Sequence, residues 1–256
     1  MRIDKYLFEH GFAKSREAAK RMIGEGIVEL DGRIVSKASE DAGEESSVRI
    51  VGETLRYVSR GGLKLERALE AFSLDASGLD CVDIGASTGG FTDCLLKNGA
   101  ARVRCVDVGR SQLDKSLAED RRVVSFEGMN ARYITADDIG GRCDLAVCDV
   151  SFISLTLIMP TVAGILREGG KFVALIKPQF EAGRANIGKN GIVKDRNVHT
   201  EVILRVLDFA ETVGLYCGAL TVSPIYGGDG NREYLAYFDG IGGFDRANIK
   251  KIVYDT

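Results

Sequence analysis

CVDIGASTGGFT, residues 81–92, is an apolar strand that runs into a glycine-rich turn and then opens a helix. Such a turn brings a ligand against backbone N–H groups at a helix N-terminus. Gly85, Gly89 and Gly90 allow the tight turn and the close approach. Their spacing is not the G-x-G-x-x-G of dinucleotide binding, and no G-x-x-x-x-G-K-[ST] triphosphate loop is present. Asp83 stands just before the first glycine, and a second acid, Asp107, ends the next strand in RVRCVDV, residues 102–108. An acid at that strand end can accept both hydroxyls of a ribose.

Working outward, apolar runs alternate with helical patterns. The strands are read at 81–85, 102–108, 123–128, 144–150 and 171–177, the helices at 91–99, 111–119, 154–166 and 198–213. Continuous apolar strands separated by helices predict an α/β fold, a parallel sheet covered on both faces. Pro160 is expected to kink or shorten the third helix. LYCGALTVSP and REYLAYF leave no room for a helix between them and predict an antiparallel pair at the sheet edge. Before the sheet, Leu65, Leu69 and Phe72 mark an amphipathic helix starting near Leu63.

The 256 residues are 45% hydrophobic and 28% charged, which excludes wholesale disorder. No apolar run is long enough to span a membrane, and the N-terminus lacks the pattern of a secretory signal, so a cytoplasmic protein is expected. None of the six cysteines is spaced C-x-x-C, and His10 and His199 lie far apart, so no metal site is expected. Cys81, Cys105 and Cys148 sit in apolar runs and read as buried thiols. The net charge of −3 argues weakly against a nucleic-acid partner, but binding responds to local patches. Nothing in the sequence specifies an oligomeric partner.

Residues 1–37 carry eight basic groups against six acidic ones. Ser15 reads as the N-cap of REAAKRMI, and IVEL-DG-RIV reads as a hairpin turning at Asp31-Gly32. Lys14, Arg16, Lys20 and Arg21 form a basic patch beside it, which patterning alone leaves open as a solvated helix face. This order of parts over residues 2–50 resembles the small RNA-binding module of ribosomal protein S-four, pseudouridine synthases and tyrosyl-tRNA synthetase. The resemblance implies that these four residues contact RNA phosphates, which gives position without base reading. The boundaries read from the chain are an RNA-binding domain at 1–52, a linker at 53–62 and a second domain at 63–256.

Two strand-end acids around a glycine loop look like the S-adenosylmethionine methyltransferase pattern. The resemblance implies a Rossmann-like fold that binds S-adenosylmethionine through Asp83, Gly85, Ala86, Ser87, Gly89, Gly90, Phe91, Asp107, Val108, Asn130 and Asp149. Asp83 would lie near the amino-acid end of the cofactor, Asp107 at the ribose and Asn130 at the adenine.

Asp149 ends the fourth strand in CDVSFISL, where amino-group methyltransferases carry [DN]-P-P-[YF]. The missing prolines disfavour an exocyclic amine target. Lys177 ends the fifth strand, pointing to the crevice where ligands bind. A buried ammonium there needs anionic partners or a reason to be neutral. With Lys64 and Glu233 these positions resemble the Lys-Asp-Lys-Glu tetrad of FtsJ-like ribose 2'-O-methyltransferases. SRGGLKL, DIGASTGGFTDCLL, DVSFISL, IKPQFEAGR and GIVKD are similar to the TlyA/haemolysin A family, whose members methylate cytidine 2'-hydroxyls of ribosomal RNA.

The resemblance implies Lys64, Asp149, Lys177 and Glu233 as the catalytic set. Lys177 would take or orient the hydroxyl proton, and Lys64 would favour its neutral form by like-charge repulsion. No metal is required. Phe91 and Phe152 are candidates to stack a flipped-out base, with core packing the stronger reading for Phe91. The segment 182–197, with Arg184, Lys189 and Lys194, reads either as a mobile RNA-facing loop or as a solvated one. The competing functions are a non-catalytic RNA-binding or ribosome-assembly factor and a haemolysin; the lytic reading lacks an amphipathic membrane surface.

Overall fold

The computed structural model describes residues 1–13, 15–24, 26–43, 46–51, 56–227 and 230–255, with the side chain of Arg21 also left out. Lys14 and part of the 53–62 linker lie outside the described residues. The chain divides into two units, Met1–Arg56 and Tyr57–Thr256, so the division falls within the segment read as a linker.

In the first unit, helices α1 (Ile3–Glu9) and α2 (Arg16–Gly24) pack with strands β1 (Val28–Leu30), β2 (Arg33–Ile34) and β3 (Val48–Ile50). The strands form a sheet in the order β2-β1-β3. Ser15 caps α2 by accepting the N–H of Ala18 at 3.1 Å. Asp31 and Gly32 both take positive φ, 51° and 80°, as a two-residue hairpin turn demands. The core gathers Ile3, Leu7, Ala19, Ile23, Val28, Leu30 and Val35. Strand β3 was not read from the sequence; its alternation, Val48-Arg49-Ile50, is only three residues long and follows an acidic, serine-rich stretch.

The second unit contains α3 (Gly61–Ala71), β4 (Asp80–Ile84), α4 (Gly90–Lys97), β5 (Arg102–Asp107), α5 (Lys115–Ala118), β6 (Val123–Glu127) and β7 (Cys143–Cys148). It continues with α6 (Met159–Ile165), β8 (Leu166–Ile176), α7 (Pro178–Glu181), α8 (Arg196–Thr212), β9 (Tyr216–Val222), β10 (Tyr234–Asp239) and α9 (Asn248–Tyr254). Seven of these strands form one sheet, ordered β6-β5-β4-β7-β8-β10-β9. The strands from β6 to β8 are parallel, and β10 runs antiparallel to both β8 and β9, as expected of the closing pair.

Pro160 does not kink a long helix. It sits in the first turn of α6, behind a separate 3₁₀ turn at Leu155–Leu157, where its missing N–H breaks no bond. Helix α5 covers only four residues of the pattern read at 111–119. Cys81, Cys105 and Cys148 are buried free thiols.

This topology fixes the place for a ligand. The chain runs outward from β4 through β5 to β6, then returns to place β7 on the other side of β4. Ligands of open α/β sheets bind beyond the carboxyl ends of the strands at such a switch point. The turn between β9 and β10 opens at the same edge, because β10 begins where β8 ends.

Candidate active site

Gly85 follows β4 at φ 81°, and a Cβ there would lie 2.9 Å from the carbonyl oxygen of Asp149. Only glycine permits both the left-handed turn and this approach, so the loop after β4 lies directly against the end of β7. Further along, a Cβ on Gly90 would meet Ser59 Oγ at 2.2 Å and the Gly62 nitrogen at 2.9 Å. The start of α4 therefore abuts the start of α3, which carries Lys64.

A cavity of about 310 Å³ opens here, lined by Gly85 to Thr88, Gly90 and Phe91, by Ser59 to Gly61, and by Lys64, Asp149, Ser151, Lys177, Ile225 and Tyr226. Lys64, Asp149 and Lys177 reach its wall, and Glu233 lies buried behind Lys64. Lys64 Nζ donates to Glu233 Oε2 at 2.7 Å and lies 3.5 Å from Asp149 Oδ2. Lys177 Nζ stands 2.6 Å from Asp149 Oδ1, a close ion pair off the hydrogen-bond angle, and donates to Ser151 Oγ at 2.9 Å. Gln179 Nε2 donates to Glu233 Oε1 at 3.2 Å. Lys64, Lys177 and Glu233 are buried. Each buried cation thus has a carboxylate partner, as desolvation requires. Asp149 stands between the two ammonium groups, within 3.5 Å of Lys64 and 2.6 Å of Lys177.

Ser151 and Gln179 were not singled out from sequence. Both flank expected residues, in DVSF and KPQF, and hydroxyl or amide side chains two positions from a buried ion are the signal that finds them.

Asp83 is fully buried at the end of β4. Thr92 Oγ1 donates to its Oδ2 at 2.7 Å, while Oδ1 has no hydrogen-bond partner. Burial is the main cause that raises its pKa to about 7, aided by the charges of Asp149 and Asp107. A carboxyl raised in the folded state binds a proton on folding between about pH 4 and 7, so its contribution to stability diminishes as pH rises through that window. Asp83→Asn therefore stabilises little near pH 4 and by on the order of 4 kcal/mol above pH 8. Chemical denaturation of both proteins across that range checks it; an equal difference at both ends contradicts the buried carboxyl.

Asp107, at the end of β5, accepts the N–H groups of Ser87 at 2.8 Å and Gly109 at 2.7 Å. A second, narrow cleft of about 10 Å³ lies beside it, lined by Ala86, Ser87, Asp107, Gln112, Leu113 and Glu127 among others. Val108 is exposed. Asn130 is exposed as well, and its Oδ1 accepts the N–H of Arg132 in its own turn. It is not on the lining of either cavity, whereas Glu127 is. Gly89, at φ 93°, packs under Leu113 and Leu117. Phe91 is 3% exposed within the core, so it presents no free face for a base. Phe152 is the opposite: it is 90% exposed at φ 64°, with its ring centroid 5.2 Å from that of Phe180.

A cofactor with an ammonium group and a nucleoside fits these residues. Asp83 Oδ1 is an acceptor with no partner among the described residues, and the loop that follows it from Gly85 lines the open cavity. Asp107 retains lone pairs for hydroxyl groups.

The residues read as RNA contacts are not alike. Lys20, Arg184 and Lys189 are exposed. Arg16 instead ties α2 to α1, with Nη2 2.7 Å from the buried Asp4, which Arg2 also contacts at 3.0 Å. These guanidinium groups, Arg2 foremost, hold the Asp4 carboxyl well below the usual range. Burial of Asp4 demands such a partner, a requirement invisible in the charge pattern of α2. The carboxyl end of segment 182–197 is pinned rather than loose: Val193 N–H donates to Asn231 Oδ1 at 3.1 Å, and His199 Nε2 lies 2.8 Å from the Val193 oxygen.

Comparison with known proteins agrees with this geometry. The FtsJ-like methyltransferase model matches residues 57–239, and the S4 domain model matches residues 1–48. The chain is 48% identical to YqxC of Bacillus subtilis, named as an rRNA methyltransferase, over 92% of this chain and 84% of that one. It is 42% identical to the 16S/23S rRNA (cytidine-2'-O)-methyltransferase TlyA of Mycobacterium tuberculosis, over 92% of this chain and 88% of that one. A solved structure of a hemolysin-named protein from Streptococcus thermophilus superimposes with a TM-score of 0.80 at 45% identity, covering all of this chain and 94% of that one. The chain belongs to the FtsJ-like methyltransferase family and carries an S4 domain at its N-terminus.

Proposed function

We propose that the protein transfers a methyl group from S-adenosylmethionine to the 2'-hydroxyl of a cytidine ribose in ribosomal RNA, in the cytosol. The observation that carries this reading is the contact chain Glu233–Lys64–Asp149–Lys177, which borders the same cavity as the 85–91 loop. The cytidine and the ribosomal RNA rest on the name of the TlyA relative and on the S4 domain. Among the described residues no helix is long and apolar enough to cross a membrane.

The cofactor supplies an electrophilic methyl on a sulfonium. Asp83 and the loop N–H groups hold its amino-acid end, and Asp107 holds its ribose. Gln112 and Leu113 narrow the cleft beside Asp107 and move aside for the nucleoside. Lys177, held by Asp149 and Ser151, orients the ribose hydroxyl and, as a neutral amine after releasing one proton to solvent, takes up the hydroxyl proton while the oxygen bonds to the methyl carbon and the sulfur departs as a thioether. Glu233 and Asp149 fix Lys64, whose charge offsets one of the two acids. Much of the rate comes from alignment of the hydroxyl at about 3–3.5 Å. Lys20, Arg184 and Lys189 contact phosphates and set position without reading bases.

Tritiated S-adenosylmethionine, purified protein and ribosomal subunits from cells lacking the gene test this directly. Label is expected in ribosomal RNA within an alkali-resistant dinucleotide, since a methylated 2'-oxygen cannot attack the neighbouring phosphate. Label in an alkali-sensitive product, or none, refutes the reading.

Phe152, exposed and braced by Phe180, stacks the extruded base in this scheme. Phe152→Ala is expected to raise KM for the ribosomal subunit about tenfold or more, from the typical strength of one base stack, and to leave cofactor affinity unchanged. Steady-state kinetics with each substrate varied in turn distinguish the two effects.

A further inference from the structure

Tyr226 has no role in the scheme above. It lies in the turn between β9 and β10, lines the cavity that holds Lys64, Asp149 and Lys177, and remains 58% exposed. Its ring is not loose. Arg232 Nη2 donates to the Tyr226 hydroxyl oxygen at 2.9 Å, and the guanidinium carbon sits 5.3 Å from the ring centroid.

The turn itself is tightly built. Ser223 Oγ donates to the Ile225 oxygen at 2.7 Å. Gly227 N–H donates to the Asn231 oxygen at 2.8 Å, and Asn231 is fully buried. A Cβ on Gly227 would lie 2.5 Å from Glu233 Oε1, so the turn closes directly on that carboxylate. The sheet order puts β4 and β5, whose loops face the cofactor, on one side of β7 and β8, and puts β10 and its turn on the other. Tyr226 thus flanks the charged quartet on the side away from Asp83 and Asp107.

A large aromatic held half in solvent at the mouth of a cationic cavity, with its orientation fixed by an arginine, has the properties of a stacking platform for single-stranded RNA. Its conformational cost is met before binding, because the ring is already immobilised. The backing guanidinium adds a cation–π component. We propose that Tyr226, braced by Arg232, stacks a base next to the methylated nucleotide and is a binding residue for the RNA substrate. This inference rests on the ribose-methylation reading.

The test uses the full chain and the ribosomal subunit that the wild type labels. Tyr226→Ala is expected to raise KM for that subunit about 5- to 100-fold, the range spanned by loss of one stacked base. kcat and the cofactor KM are expected to stay within about twofold, since an interaction used equally in ground and transition states appears in KM alone. Tyr226→Phe is expected to behave nearly as wild type, because stacking needs the ring and not the hydroxyl. The chain contains no tryptophan. Tyr226→Trp therefore installs a single indole, whose fluorescence is expected to be quenched by dodecameric oligocytidine.

An unchanged subunit KM in Tyr226→Ala, a rise in cofactor KM instead, or an indole insensitive to oligocytidine overturns the proposal. Failure of the wild type to label either subunit overturns the methylation reading itself, while the fluorescence titration still reports whether RNA reaches Tyr226.

Discussion

Lys177→Ala lowers kcat for methyl transfer by about 10²–10⁴-fold, the usual yield of a positioned proton acceptor, and leaves cofactor affinity within a few-fold of wild type. The expectation follows from position. Lys177 ends β8 at the carboxyl edge of the sheet, and its Nζ meets Asp149 Oδ1 at 2.6 Å and Ser151 Oγ at 2.9 Å inside the cavity. The 85–91 loop, which holds the cofactor in the proposed scheme, meets this group at Gly85, which lies against Asp149. Single-turnover label transfer measures the chemical step, and calorimetry with S-adenosylhomocysteine measures binding. Lys177→Arg retains the charge but not a transferable proton at neutral pH, so it is expected to lose nearly as much rate as alanine. Full activity in either variant removes Lys177 from the mechanism.

Glu233→Ala acts on stability as well as rate. Glu233 is 2% exposed and accepts from Lys64 at 2.7 Å and from Gln179 at 3.2 Å. Its removal leaves Lys64, also buried, with Asp149 at 3.5 Å as its remaining carboxylate. Breaking a buried pair from one side costs about 3–5 kcal/mol. At about 2–4 °C per kcal/mol for a domain of this size, the melting temperature falls by roughly 6–20 °C. A double replacement, Lys64→Met with Glu233→Leu, is expected to recover most of that loss, since apolar residues of similar volume substitute well for buried ions. Activity is not recovered, because the quartet is gone. Thermal melts and label transfer on the wild type and the two variants separate the two effects. A double variant as unstable as Glu233→Ala refutes the account of the pair.

The α/β sheet and its edge pair were legible because apolar runs of strand length alternate with helical spacing, and because two runs without an intervening helix must pair antiparallel. The glycine loop was legible from Gly85, Gly89 and Gly90 after a strand. Convergence of Lys64 and Glu233 was available only through family resemblance, since no local period links residues on α3 and at the start of β10. Arg16 misled for a related reason: its neighbours in sequence are basic, but its partner Asp4 lies on α1. Asn130 was placed by family resemblance; its side chain completes its own turn, and Glu127 lines the cleft. Tyr226 gave no signal at all, because one tyrosine in a glycine-rich turn becomes informative only when Arg232 and the cavity are seen beside it.

The bond between Lys64 and Glu233 joins positions 169 residues apart. A growing polypeptide therefore carries Lys64 long before Glu233, and the shorter of the two carboxylate contacts to that amine closes only after residue 233 has been added. Late closure of this kind is slow to nucleate, because distant segments must meet before they reward each other. The quartet is consequently incomplete until the chain has folded back over those 169 residues, so activity reports closure of the whole second unit rather than of any local part of it.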